Sequence, residues 1–236
     1  MPKSADTVAV LRPGRREANK REKLSRIRRA ARDVFLKKGF EAATIREIAA
    51  AADVAFGTLF LYAKDKQDLL LLLFDEELPA LTERAFRMAK PDAPFIEQIL
   101  AFFTEFYAFF SATPQLSRDM MREITFSGGI VATRIWTGVQ STEQHLARLV
   151  AQAQANGTVS ASIAPDAAAH VIFNLYRIEI RFCLSEPEPN VAASLAKLRR
   201  EFEILFIGLA PRHEPVTNPV LATRSPTPRL RRRRDQ

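Results

Sequence analysis

Apolar and polar positions along this chain alternate with the period of helices from Leu24 to Leu209, and the tightest pattern lies at 44–66. Ile45, Ile48, Ala49 and Ala52 recur at i, i+3, i+4 and i+7, one face of a two-turn helix. Thr44 and Glu47 before them make Thr-x-x-Glu, a capping box in which hydroxyl and carboxylate each take a free backbone N–H. Upstream, Leu24, Ile27, Ala31, Val34 and Phe35 stripe a helix predicted over about 21–38, with Arg26, Arg28, Arg29 and Arg32 on its other sides. Gly39 closes that helix. Downstream, Asp53 and Ala55 mark a break around a buried Val54. A second short helix over about 56–62 turns Leu59 inward and leaves Phe56, Gly57, Thr58, Phe60 and Leu61 with little core to join. Asp65 with Asp68 then caps a third helix, which has Lys66 in its first turn.

The remaining elements follow from the same reading. One long helix is predicted from Lys66 to about Lys90, kinked at Pro79, because proline lacks the N–H and clashes one turn back. Phe95, Ile99, Phe102, Phe103, Phe106, Phe109 and Phe110 exceed a single stripe, so their helix is expected to be buried on several sides. Helices follow over about 115–125, 130–155 and 165–184. The last, 190–209, carries Val191, Leu195, Leu198, Phe202, Leu205 and Leu209 at steps of 4, 3, 4, 3 and 4, a narrow seam that asks for a partner helix. The fold class is therefore all-α.

Charge divides this series. Residues 1–66 hold 16 Lys and Arg against 8 Asp and Glu, residues 67–210 hold 12 against 17, and residues 211–236 hold 7 against 2. Positive ends around an acidic body fit a segment that meets a polyanion joined to one that does not. The single cysteine, Cys183, excludes an internal disulfide and a cysteine-rich metal site. No metal site is expected, since His145 lacks partners at ligand spacing. No nucleophile with a base, carboxylate pair or phosphate loop is present to carry catalysis, so no enzyme and no cofactor are expected. The leader has no apolar core and the longest apolar run, Leu69–Phe74, is too short for a bilayer, so a cytoplasmic, nucleoid-associated protein without membrane contact is expected.

Two short helices at a steep angle, the second with an exposed face, are the arrangement that lays a recognition helix in the major groove. The residues that fill it, Gly39-Phe40, Thr44-Ile45-Arg46-Glu47-Ile48-Ala49, Ala52-x-Val54 and Gly57-Thr58-Leu59-Phe60-x-Tyr62-x-x-Asp65-Lys66-x-x-Leu69-Leu70, resemble the DNA-binding domain of the tetracycline-repressor (TetR) family. The resemblance covers about a fifth of the chain. Asp53 stands where that family usually has glycine, so it must adopt a left-handed backbone or the turn differs. Ala55, Phe60 and Ala63 replace a usual serine, tyrosine and aromatic.

The resemblance implies an N-terminal three-helix helix-turn-helix domain over 20–80 and a larger helical ligand-binding and dimerisation body over 81–210. Composition alone reads the two ends as disordered, a basic arm over 1–19 and a basic tail over 211–236 that has no counterpart in the family pattern. The resemblance also implies DNA contacts from Thr44, Arg46, Gly57 and Thr58, and phosphate contacts from Tyr62 and Lys66. Phe56, Phe60 and Leu61 are expected to touch thymine methyls. In this family the body encloses a pocket. Phe103, Tyr107, Arg122, Trp136, His145 and Asn174 are the candidates to hold a small apolar effector. The last helix is assigned to a homodimer interface through Val191, Leu195, Leu198, Phe202, Leu205 and Leu209. The expected partners are thus a palindromic double-stranded operator, a second copy and a small-molecule effector, and the expected function is a sequence-specific repressor. The alternative is an architectural DNA-binding protein that takes no effector and binds a protein through its body.

Overall fold

The computed structural model describes residues 14–126 and 128–209 and, among them, ten helices and no strand. The N-terminal part consists of α1 (Arg15–Ala42), α2 (Ile45–Ala51) and α3 (Phe56–Leu59). Then come α4 (Lys66–Asp75) and α5 (Glu77–Met88), and the body continues through α6 (Phe95–Ser111), α7 (Pro114–Ile124), α8 (Ile130–Ala155), α9 (Pro165–Ser185) and α10 (Val191–Leu209).

Helix α1 begins at Arg15, several residues before the predicted start, so 15–19 are helical rather than part of an arm. No proline or glycine interrupts 15–38, and Glu17 in the first turn favours the positive end of the helix. The rest of the predicted arm, residues 1–13, and the basic tail lie outside the described residues. At Gly39 the backbone takes φ 79°, ψ 162°, a conformation only glycine holds without strain, and the chain bends there before its last turn. The capping box closes as read: Thr44 Oγ1 accepts from the Glu47 N–H at 3.2 Å and Glu47 accepts from the Thr44 N–H at 3.1 Å. Asp53 does adopt the left-handed backbone, with φ 51°. Asp65 caps α4, accepting from the Asp68 N–H at 2.8 Å.

The long helix predicted from Lys66 is two helices, broken at Glu76 rather than at Pro79 itself. Proline 79 has no N–H to give to the Asp75 carbonyl four residues back, so the ladder opens there. Three of the α1 arginines are spent near this break and the turn. Arg28 pairs with Glu76 and donates to the Leu72 carbonyl at 3.1 Å, Arg32 pairs with Glu77, and Arg26 pairs with Asp53 at 3.2 Å. From the other side, Arg134 of α8 reaches Asp75 at 2.8 Å.

Helix α6 runs through the body, with Phe95, Ile99, Phe102, Phe103, Phe106 and Phe110 all buried among α5, α8, α9 and α10. The α10 seam is where the structure corrects the sequence most sharply. Leu198 and Phe202 are fully buried within the chain, and Val191, Leu195 and Leu205 pack on the same core. Phe202 meets Phe103 at 6.0 Å between ring centroids. The seam predicted to face a second copy closes on the chain's own α6 and α9 instead. The side chain of Leu209 lies outside the described residues. What α10 leaves outside are Ile204 and Ile207, 71% and 76% exposed, and α9 leaves Ile178 and Phe182 exposed as well.

Candidate nucleic-acid interface and effector cavity

The α2–α3 unit owes its angle to local chemistry. The capped start of α2, the left-handed Asp53 and the buried Leu59 fix the path, so α3 presents an outer surface of Phe56, Gly57, Phe60 and Leu61, with Thr58 half-buried among them. Phe56 and Phe60 form an edge-to-face pair at 5.1 Å, and the Arg46 guanidinium lies 5.7 Å from the centre of the Phe56 ring. Leu61 is 80% exposed. Nothing lies within 4 Å of where a Gly57 side chain would begin, so another molecule can approach the backbone there. The regular helix is shorter than predicted, ending at Leu59, and looser turns carry the chain through Tyr62.

Thr44 and Arg46 are exposed on the same side. Lys38 pairs with Glu47, and its ammonium, followed by the Thr44 hydroxyl, holds the Glu47 carboxyl below the ordinary range. Lys66, read as a phosphate holder, is employed within the protein: its Nζ donates to the Glu41 carbonyl at 2.9 Å and sits 4.6 Å from the Phe40 ring centre. It thus steadies the end of α1 beyond the Gly39 bend.

In the body, a mainly apolar, partly open cavity of about 100 Å³ lies among α5 to α9. Its wall on α7 is Met120, Met121 and Ile124; on α8 it is Ile135, Trp136 and Val139. Helix α9 adds Phe173 and Tyr176 and, at the polar end, Arg177 and Arg181. Thr82 and Thr142, hydrogen-bonded to each other at 3.0 Å, give one polar spot. Of the six predicted pocket residues only Trp136 lines this cavity. Phe103 is core, stacked on Tyr176 at 4.3 Å. Tyr107 is buried behind Tyr176, and burial pushes both phenols up from their usual value; neither hydroxyl has a hydrogen-bond partner among the described residues. His145 uses both ring nitrogens, on the Ser141 carbonyl at 2.8 Å and on Glu83 at 3.1 Å. Asn174 bonds His170 and Arg177. Arg122 lies in a neighbouring groove, outside the cavity. The arginines at 177 and 181, one turn apart on α9 and so on one face of it, were the signal available in the sequence.

Helix α7 has two faces. One lines the cavity; the other meets the N-terminal part. Arg122 pairs with Glu41 of α1 at 2.9 Å, and Glu123 accepts from Gln67 of α4 at 2.6 Å. Just beyond α7, Lys64 Nζ donates to the Gly128 carbonyl at 3.3 Å. Gly129 beside it has φ 105°, and a side chain there would begin 3.1 Å from that same nitrogen.

A capped, exposed two-helix corner on an all-helical body is the build of a helix-turn-helix regulator. Residues 27–73 match the family model of bacterial regulatory proteins, tetR family. The chain is 40% identical over 65 residues to the fatty acid metabolism regulator protein of Bacillus subtilis, covering 28% of this chain and about a third, 34%, of that one. It is 28% identical over 157 residues to the HTH-type transcriptional repressor KstR of Mycobacterium tuberculosis, covering 66% of this chain and 70% of KstR. Among solved structures, Bacillus subtilis FadR in complex with stearoyl-CoA superposes with a TM-score of 0.63 at 21% identity, covering 78% of this chain and 98% of that one. Thermus thermophilus FadR, in complex with lauroyl-CoA, gives 0.63 at 22%, covering 83% and 99%. The whole fold, body included, is the one these regulators share.

Proposed function

We propose that this chain is a DNA-binding transcriptional repressor that releases its operator when a long-chain acyl compound enters the body. The observation that carries this reading is the double-faced α7, lining an apolar cavity on one side and gripping α1 and α4 on the other. Thr44, Arg46, Thr58 and the exposed Phe56–Phe60–Leu61 patch meet the duplex, Arg46 at phosphate and the apolar groups at thymine methyls.

The cavity of about 100 Å³ is smaller than an acyl chain needs, since ligand pockets usually measure about 300–1,000 Å³. A chain therefore enters only by moving its walls, and the deformable wall is the one with two methionines, on α7. Displacing α7 loads the Arg122–Glu41 and Glu123–Gln67 contacts. The ligand shifts the DNA-binding equilibrium by the difference in its affinity for the two arrangements, about 1–3 kcal/mol in ordinary allostery. The acyl class draws support from the relatives, two of which bind acyl-CoA and one of which is named for fatty acid metabolism.

A palindromic operator presents two major-groove half-sites roughly 34–36 Å apart, so two copies must act together. The exposed Ile178, Phe182, Ile204 and Ile207 on α9 and α10 are the apolar face for that pairing. The reading is tested by selecting bound duplexes from a random pool with purified protein, then repeating the selection with lauroyl-CoA. A single enriched palindrome that disappears with ligand supports it. Coating that depends on duplex length and ignores ligand would instead favour an architectural role.

A further inference from the structure

The cavity does not end at Arg181. A second, open depression of about 470 Å³ adjoins it, and the two share Met121 and Arg181. The outer depression is rimmed by Arg118, Arg122 and Arg181, with Phe126 beside them, 96% exposed. Arg177 and Arg181 have no ion-pair partner among the described residues: Arg181 donates to the Thr125 hydroxyl at 3.0 Å, and Arg177 lies 5.5 Å from the centre of the Trp136 ring. Burial, and then the charge of Arg181, make the protonated form of Arg177 less favourable than usual. The apolar chamber and the outer groove thus meet at Met121 and Arg181, beside a group of arginines, the residue type whose planar fork fits phosphate in two-point contact.

Arg122 connects this groove with the N-terminal part. Its guanidinium is held on its own helix by Asp119 at 3.3 Å and Glu123 at 3.0 Å, and across the gap by Glu41 of α1 at 2.9 Å. Glu41 is the exposed member of that set, its side chain 81% exposed, whereas Asp119 is buried. We propose that the groove is the subsite for a phosphate-bearing head on the acyl effector, and that a phosphate seated there takes Arg122 away from Glu41. This rests on the acyl-effector reading above and adds which part of the ligand does the releasing: the tail supplies affinity, and the head undoes the tie between α7 and α1. Phe126 offers a ring for a base in the head to stack on, as aromatic side chains do with nucleobases.

The test compares three ligands by calorimetry and by operator release: dodecanoyl-CoA, the uncharged dodecanoyl-N-acetylcysteamine with the same tail, and CoA alone. Arg118→Ala, in the outer groove and not in the wall of the apolar cavity, should weaken dodecanoyl-CoA by roughly tenfold to a hundredfold, the worth of a charge-assisted hydrogen bond, and leave the uncharged thioester's affinity unchanged. Dodecanoyl-CoA should bind less tightly as salt rises, and should release operator far better than the uncharged thioester at equal occupancy. Glu41→Gln should raise dodecanoyl-CoA affinity about two- to fivefold, the scale of an exposed ion pair, and weaken ligand-free operator binding in the same proportion. Equal loss of both thioesters in Arg118→Ala, or no loss of either, overturns the head subsite and leaves the acyl reading standing. Failure of both thioesters to bind the unaltered protein overturns the acyl reading and this one with it.

Discussion

Thr44 and Glu47 cap one another across three residues, which is why the capping box could be read from the sequence and stands in the structure; only the added Lys38 pair comes from further off, nine residues back. Thr44→Ala should destabilise the protein by about 1 kcal/mol in urea unfolding, the usual worth of an N-cap. The Glu47 carboxyl titrates below its ordinary value because of Lys38 and Thr44, so its contribution is complete above the ordinary carboxylate range and fades as pH falls through the lowered one. The difference between Thr44→Ala and the unaltered protein should therefore shrink in acid, as thermal melts below about pH 4 will show. Lys66 was not legible in this way. Its partners, the Glu41 carbonyl and the Phe40 ring, lie some 25 positions away, so sequence order could not say whether its charge faces DNA or the chain. Arg46 is the better phosphate probe, being exposed and set against the Phe56 ring. Arg46→Ala should flatten the salt dependence of DNA binding by about one unit of slope, while Lys66→Ala should act mainly on stability.

Helix boundaries set by glycine, proline and capping residues were visible in the chain: α8 and α9 begin where the sequence placed them, after Gly129 and at Pro165. Gly39→Ala should cost about 1–3 kcal/mol through backbone strain alone, because its φ of 79° is paired with ψ 162° and nothing crowds a side chain there. What periodicity could not supply was the partner of a stripe. The 4-3-4-3-4 seam of α10 correctly announced a buried face, but a seam has the same spacing whether it meets a second copy or the chain's own α6. Leu198→Asp and Ile204→Asp separate the two. The first should unfold the body, since Leu198 is fully buried. The second should leave the melting temperature of the fold nearly unchanged and shift sedimentation from dimer to monomer.

Across the whole molecule, the acidic body and the basic N-terminal part meet along α7 and the α4–α5 break, and ion pairs tie them at both places. Arg122–Glu41 ties α7 to α1, while Arg28, Arg32 and Arg134 converge on the acidic run Asp75, Glu76 and Glu77. The sequence showed the charge division but not this stitching, which joins residues about 45 to 81 positions apart. The cavity was hidden for the same reason: its walls come from five helices, and only Trp136 stood out among the residues proposed from sequence. No single described helix is long and apolar enough to cross a membrane; the bent pair α6–α7 that approaches that composition is the core of the body and a wall of the cavity. The central claim is that filling this cavity is felt at α1 through α7. Fluorescence anisotropy of the selected operator, titrated with protein at rising lauroyl-CoA, tests it most directly. An operator Kd that climbs with ligand by roughly 5- to 150-fold and then saturates is the predicted result. A Kd that stays constant while calorimetry shows lauroyl-CoA bound would contradict it.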